Sequence, residues 1–235
     1  MNQRPNVHAG ENAASYEQLA SMRGAFLQRV YGHLAAAIGL FVLIEVALFQ
    51  SGVAYPMAKA MLGVNWLLVL GGFMVLGWLG RSIAYKAASI SSQYGGLAIF
   101  VLGQAIIFVP LLVVAEAYAP GAISSAGLVT IIGFTLLTMI ALSMRQNFSF
   151  LGGILKWAGV LALAAIVGSV FFGFELGTWF SLIMVAVAGA AVLYDTQKIL
   201  VTYPDDRYVG AALELFASIA LMFWYILRLF LGSRR

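Results

Sequence analysis

Apolar residues come in seven long runs, separated by short stretches rich in glycine, proline and charge. The runs predict helices over 34–53, 64–80, 97–117, 126–142, 154–172, 178–195 and 211–231. Each is close to the ~20 residues that a helix needs to cross a ~30 Å hydrocarbon layer. Breaks are expected at Gly52/Pro56/Gly63, from Arg81 to Gly96 and at Pro120/Gly121. Others are expected from Arg145 to Gly153, from Gly173 to Gly177 and from Thr202 to Arg207. Pro110 lies inside the third run and predicts a kink or hinge there. Ala164 and Gly168 form a small-xxx-small pair of the kind that lets membrane helices approach closely.

Ahead of the first run, residues 1–20 are polar, and residues 21–33 alternate apolar and basic positions. Phe26, Val30 and Leu34 recur at i, i+4 and i+8. Two readings fit this stripe: an amphipathic lead-in on the membrane surface, or an extension of the first helix. About 33 mixed residues before an apolar run exceed the n-region of a cleavable signal peptide, so the first run is read as a retained helix. The expected organisation is an N-terminal tail over 1–33, one seven-helix membrane domain over 34–231 and a basic tail over 232–235.

Composition agrees with this pattern. Of 235 residues, 63% are hydrophobic and 9% charged, against about 45–50% and about 25% in soluble domains. Both an ordinary soluble enzyme and a disordered chain are excluded. There is no cysteine, hence no disulfide, thiolate or zinc–sulfur chemistry. The net charge is +4, and the basic residues read as topology signals rather than a nucleic-acid surface. With the N-terminus cytoplasmic, Arg4, Arg23, Arg29, Arg81, Lys86, Arg145, Lys156, Lys198 and Arg207 stay inside. Only Lys59 falls in the first three external loops. Seven crossings put Arg228, Arg234 and Arg235 outside, whereas a returning last segment would keep them inside. The length of 211–231 favours a full crossing.

Acidic residues Glu45, Asp195 and Glu214 fall inside apolar runs. A charge near the bilayer centre costs at least about 2.5–3.5 kcal/mol, so such residues face the bundle or a water-filled path and mark function. Asp195 closes the sixth run and Glu214 opens the seventh, which puts both near the cytoplasmic side. Two neighbouring carboxyls in an apolar setting do not readily ionise together and titrate as a coupled pair. Their oxygens suit a hard cation such as Ca²⁺. The plainer reading has Asp195 pair with Lys198 at i+3 and Glu214 sit in the first turn of its helix, where the dipole favours an anion. Glu45 is either a cation or proton station or a protonated carboxyl bonded to a neighbouring helix. Gln104 either lines a pathway or makes a structural hydrogen bond, the second being the preferred reading. Trp66, Trp78, Trp157, Trp179 and Trp224 are read mostly as interfacial anchors.

Four segments carry a resemblance. MRGAFLQRVYGHL (22–34) leads into the first run, FSFLGGIL (148–155) opens the fifth, LYDTQKI (193–199) closes the sixth, and GAALELF with LRLFLG (210–232) frames the last. In this order they resemble the bacterial branch of the Bax inhibitor-1 (transmembrane Bax inhibitor motif) family. The resemblance implies an all-α membrane fold of seven helices, with helix seven central and surrounded by the other six. It implies a pH-sensitive Ca²⁺ leak and no cofactor. It also implies a pair of aspartates, one ending helix six and one in helix seven, contacted by an arginine at the inner end of helix two. The first aspartate corresponds to Asp195, read as a transient Ca²⁺ contact, and the arginine to Arg81. The second corresponds to Ser218, so the chain departs from the pattern there. Glu214, four residues before Ser218, is the expected substitute, giving a site of Asp195, Glu214, Ser218 and Arg81.

Enzymatic readings find no support. There is no H-E-x-x-H zinc motif, and His8 and His33 both precede the first run. No buried histidine is available for a Ser–His dyad, the last run has no Schiff-base lysine, and no phosphate-binding glycine loop occurs. The expected function is a passive, pH-modulated cation leak in a bacterial plasma membrane. The alternative, also implied by the resemblance, is a non-conducting regulator of a membrane quality-control protease, grasped by its N-terminal tail.

Overall fold

The computed structural model describes the backbone of residues 7–64, 66–86, 89–143 and 148–232, and side chains from residue 23 on except at several positions within 66–86. Among the described residues all regular structure is helical: α1 (Val7–Gln50), α2 (Ala54–Leu62), α3 (Trp66–Lys86), α4 (Ile90–Tyr118), α5 (Ala122–Ser143), α6 (Leu151–Phe172), α7 (Thr178–Val201) and α8 (Tyr208–Gly232). Six of these are long and apolar enough to cross a membrane: α1 from Arg23 on, and α4 to α8. The chain is a multi-pass membrane protein. Seven runs were expected to cross; the remaining one corresponds to α3.

The helix ends follow local chemistry. Gly52, Gly121 and Gly173 adopt φ of 75°, 82° and 69° and turn the chain between α1 and α2, α4 and α5, and α6 and α7. A side chain is strained in that left-handed region, so glycine belongs at each. Ser89 caps α4 by accepting from the Ser92 N–H at 3.3 Å. Pro56, expected to break the chain, sits instead in the first turn of α2, where a missing N–H leaves no bond unmade. α4 runs as one helix through Pro110.

α8 lies inside the bundle and packs against α1, α3, α4, α5 and α7. α6 does not complete a ring of six around it: it packs chiefly on α7 and has no buried residue. The second inner helix is α4, more enclosed along its apolar length than α8. Two apolar clusters stack along this pair. One joins Phe26, Val30 and Leu34 of α1 to Phe100 and Val101 of α4, Ile199 of α7 and Leu213 and Phe216 of α8. The other joins Phe108 and Leu112 of α4 to Ala126 of α5, Val192 of α7 and Met222 and Leu227 of α8. The Phe26–Val30–Leu34 stripe is therefore buried, on a helix that continues unbroken to Gln50. The outward faces of α5 and α6 carry exposed Leu128, Ile131, Leu161 and Phe171, as lipid contact requires.

Close approach occurs at other small residues than the expected pair. A Cβ on Gly80 of α3 would meet the Gly96 carbonyl at 3.2 Å, and one on Gly152 of α6 would meet the Tyr194 ring at 2.9 Å. Gly168 faces only Phe172 and Phe174 near its own helix end, and Ala164 is exposed. Trp224 is not an interfacial anchor. Its ring meets Phe108 edge-on at 5.0 Å inside the second cluster, whereas Trp78, Trp157 and Trp179 are exposed.

Candidate functional site

The polar residues of the bundle gather where α7 turns through residues 202–207 into α8. α7 and α8 are antiparallel neighbours there, so three residues back along one match four forward along the other. Asp195 and Lys198 share a face of α7, and Glu214 and Ser218 share the facing side of α8. The Ser218 hydroxyl donates to Asp195 Oδ2 at 2.5 Å. Lys198 Nζ donates to both Glu214 oxygens at 3.0 Å, and the Tyr203 hydroxyl donates to Glu214 Oε1 at 3.1 Å. The Lys198 ammonium lies 5.5 Å from the Tyr203 ring centre. These are two polar rungs across one helix pair. The side chains of Lys198 and Glu214 are 30% and 19% exposed, which makes this a half-buried ion pair rather than a solvated one.

Asp195, Glu214 and Ser218 are thus brought together, but not as two carboxyls facing one another. Asp195 is held by Ser218, and Glu214 by Lys198 and Tyr203. Lys198, read as a partner for Asp195, bonds Glu214 and also lies within the field of the Asp195 carboxyl. The side chain of Arg81 lies outside the described residues. Glu45 is remote from the group, in the C-terminal half of α1. It is buried, with neither carboxyl oxygen bonded among the described residues. Gln104 is buried within α4.

Arg23, read from the sequence only as a topology residue, belongs to this end of the bundle. Its guanidinium donates to the carbonyls of Ile199 (2.5 Å), Leu200 (2.7 Å) and Tyr203 (2.8 Å) and to Asp205 Oδ1 (2.7 Å). Ile199 and Leu200 are among the last carbonyls of α7, which lack intrahelical donors. A cation there also meets the negative end of the helix dipole. Arg23 therefore caps α7 from α1 and fixes the turn. Nearby, Gln197 of α7 accepts from the Phe148 N–H, and Gln93 of α4 donates to the Asp206 carbonyl at 3.0 Å. His33 Nδ1 lies 2.7 Å from the Arg29 carbonyl and Nε2 2.6 Å from the Tyr94 hydroxyl. A carbonyl only accepts, so Nδ1 carries the hydrogen and, in the neutral ring, Nε2 accepts from the phenol.

The opposite end is sparer. Tyr55 of α2 donates to Glu116 Oε2 at 3.1 Å, and that carboxylate holds the phenol above its usual range. Arg228 Nη2 donates to the Leu176 carbonyl at 3.3 Å. Among the described residues, no three His, Asp or Glu side chains converge as a resident metal would require.

Comparison with known proteins gives a consistent result. Residues 23–235 match the family model described as "Inhibitor of apoptosis-promoting Bax1". Bax inhibitor 1 of Homo sapiens is 28% identical over 209 residues, covering 84% of this chain and 81% of that protein. Bax inhibitor 1 of Mus musculus is 27% identical over the same length and shares. An uncharacterized protein of Pseudomonas aeruginosa is 28% identical over 212 residues, 87% of each chain.

Proposed function

The chain belongs to the Bax inhibitor-1 family, and from that premise we propose that it is a pH-modulated passive leak for Ca²⁺ in a bacterial plasma membrane. In this reading α3 makes a seventh crossing, its 21 residues being about 30 Å long. The N-terminus is cytoplasmic. Arg23, Arg29, Lys198 and Arg207 at the α7–α8 end support that orientation, with Lys59 at the other end.

The observation that carries the reading is the pair of polar rungs between α7 and α8. Asp195 and Glu214 bring two carboxylates to one ammonium, Lys198, in an otherwise apolar bundle. Carboxylate oxygens gathered within the membrane are ligands that a hard cation takes. The Asp195 carboxylate is the ion contact, and Glu214 stands in for the family aspartate that Ser218 replaces. Loss of the Glu214–Lys198 bond would loosen α7 from α8 at the cytoplasmic end.

The test is Ca²⁺ flux into proteoliposomes between pH 6 and 8, with wild type, Asp195→Asn and Glu214→Gln. We expect a pH-dependent flux whose pH dependence is abolished by Asp195→Asn and flattened by Glu214→Gln. An unchanged profile in Asp195→Asn removes this site from the gate. Absence of flux from folded wild-type protein at every pH transfers the function to binding of another membrane protein.

A further inference from the structure

A second acidic position stands apart from the α7–α8 group. Glu45 is 7% exposed and is the one ionisable side chain besides tyrosine in the buried set among the described residues. Among the described residues neither of its oxygens has a hydrogen-bond partner. Its surroundings follow from its neighbours one turn away on α1. Phe41 meets Phe108 of α4 edge-on at 5.2 Å and Phe216 of α8 at 6.0 Å. Leu48 and Phe49 pack with Val109 and Val113 of α4 and with Ala54 and Ala58 of α2. The Glu45 carboxyl thus points into the seam between α1 and α4.

The register of that seam fixes what lies level with it. α1 and α4 run in parallel: His33 meets Tyr94 near one end, and Tyr55, just past α1, meets Glu116 near the other. Glu45 is therefore level with the stretch of α4 from Gln104 to Val109. That stretch is unusual in two ways. Gln104 is buried among apolar residues. Pro110 has no N–H, so the Ile106 carbonyl lacks the helical donor that every neighbouring carbonyl receives. A carboxyl, an amide and a freed carbonyl then share one depth of the bundle, the Glu45 and Gln104 side chains buried and the Ile106 side chain on an outward face of α4. All three are oxygen donors of the kind hard cations take.

Other ionisable groups on the packed elements are engaged or distant. On α8, Glu214 is bound by Lys198 and Tyr203, Arg228 is bonded to the Leu176 carbonyl and Tyr225 lies beside Arg228. On α4, Tyr94 and Glu116 sit near the two ends, bonded to His33 and Tyr55. On α2, Lys59 is exposed. No basic side chain faces Glu45 among the described residues.

A carboxyl without a donor in so apolar a setting is balanced by a proton or by a metal cation. We propose that Glu45 is a cation-binding station in the half of the bundle away from the α7–α8 turn, where a hard divalent cation displaces the carboxyl proton and draws further oxygens from Gln104 and the Ile106 carbonyl. One proton leaves for each cation bound, and no covalent bond other than O–H is broken. The inference rests on the leak reading for its physiological use, since it adds a second stop at another depth of the path.

The test uses the full chain in lipid nanodiscs, where binding is read without flux. Difference infrared spectra are recorded on adding Ca²⁺, with proton release followed in weak buffer. We expect the carbonyl stretch of a protonated carboxyl to give way to carboxylate bands, with about one proton released. Glu45→Gln, a neutral isostere, should lose both signals and keep the wild-type melting temperature. Pro110→Ala returns an N–H to the Ile106 carbonyl and should weaken Ca²⁺ binding about tenfold with Glu45 in place. Identical difference spectra and proton release in wild type and Glu45→Gln overturn the proposal. So does a wild type in which Ca²⁺ produces no spectral change. Flux with no Glu45 signal defeats this inference and leaves the leak standing; a Glu45 signal without flux does the reverse.

Discussion

The two ends of the bundle are built on different principles. At the end where α7 turns into α8, side chains hold the structure: Arg23 on three carbonyls and Asp205, Lys198 on Glu214, Ser218 on Asp195, Gln93 on the Asp206 carbonyl. At the opposite end the backbone does much of that work. Every positive-φ residue described, Gly52, Gly121 and Gly173, lies in a turn there, joined by a few exposed contacts such as Tyr55 with Glu116. Backbone turns do not respond to protons or salt, whereas ion pairs and charge-assisted hydrogen bonds do. A change of ionic strength is therefore expected to act more strongly on the first end than on the second.

The contrast can be broken most severely at Arg23. Replacing it with alanine strips the α7 carbonyls of their donor and frees Asp205. We expect a loss of roughly 2–3 kcal/mol, from the usual worth of hydrogen bonds to a charged group. Denaturant unfolding in mixed micelles measures it. Arg23→Lys should recover less than half, because an ammonium cannot reproduce the planar fork that spans several acceptors.

Next in size is the Lys198–Glu214 rung. Lys198→Met and Glu214→Gln should each destabilise by about 1–2 kcal/mol, since each leaves the other group half-buried without its partner. The double variant should lose less than the two together, with a coupling of about 1 kcal/mol in a double-mutant cycle. Strict additivity would show that the rung contributes nothing as a pair. The smallest effect belongs to the glycine-turned end. Gly121→Ala should cost about 1 kcal/mol through the strained left-handed backbone. Its loss should be the same at low and high salt, while that of Glu214→Gln shrinks as salt rises. An equal salt response at both ends would erase the distinction.

Much of the fold was legible in the chain because hydrophobic run length is the dominant signal for membrane helices. The seven predicted runs overlap α1 and α3 to α8, and the turns at Gly121, Gly173 and Thr202–Arg207 fall as expected. The misses have physical causes. α7 was expected to end at Asp195 because Thr196, Gln197 and Lys198 interrupt the apolar run. The helix continues to Val201 because Gln197 accepts from the Phe148 N–H and Lys198 bonds Glu214. α4 begins at Ile90 rather than 97, started by a Ser89 cap on a polar first turn. α2 has nine residues and carries a proline, too little for a periodicity signal. At the site, residue types were readable and pairings were not. Asp195, Glu214 and Ser218 were named, but that Ser218 takes Asp195 and Lys198 takes Glu214 depends on the rotation of α7 against α8. Arg23 was invisible as a cap because its partners lie 176 to 182 residues downstream.

The place of α8 in the bundle also bears on how the protein is made. α8 follows in the chain every helix it packs against: α1, α3, α4, α5 and α7. During synthesis those helices enter the bilayer before the element that unites them exists. They must wait there as loosely associated pairs, such as α3 with α4, with Lys198 not yet joined to Glu214. The fold is completed only when the last helix slots into a groove already lined on several sides. A stop codon ahead of Tyr208 would therefore abolish assembly rather than trim it, leaving inserted helices for the cell's membrane proteases to clear.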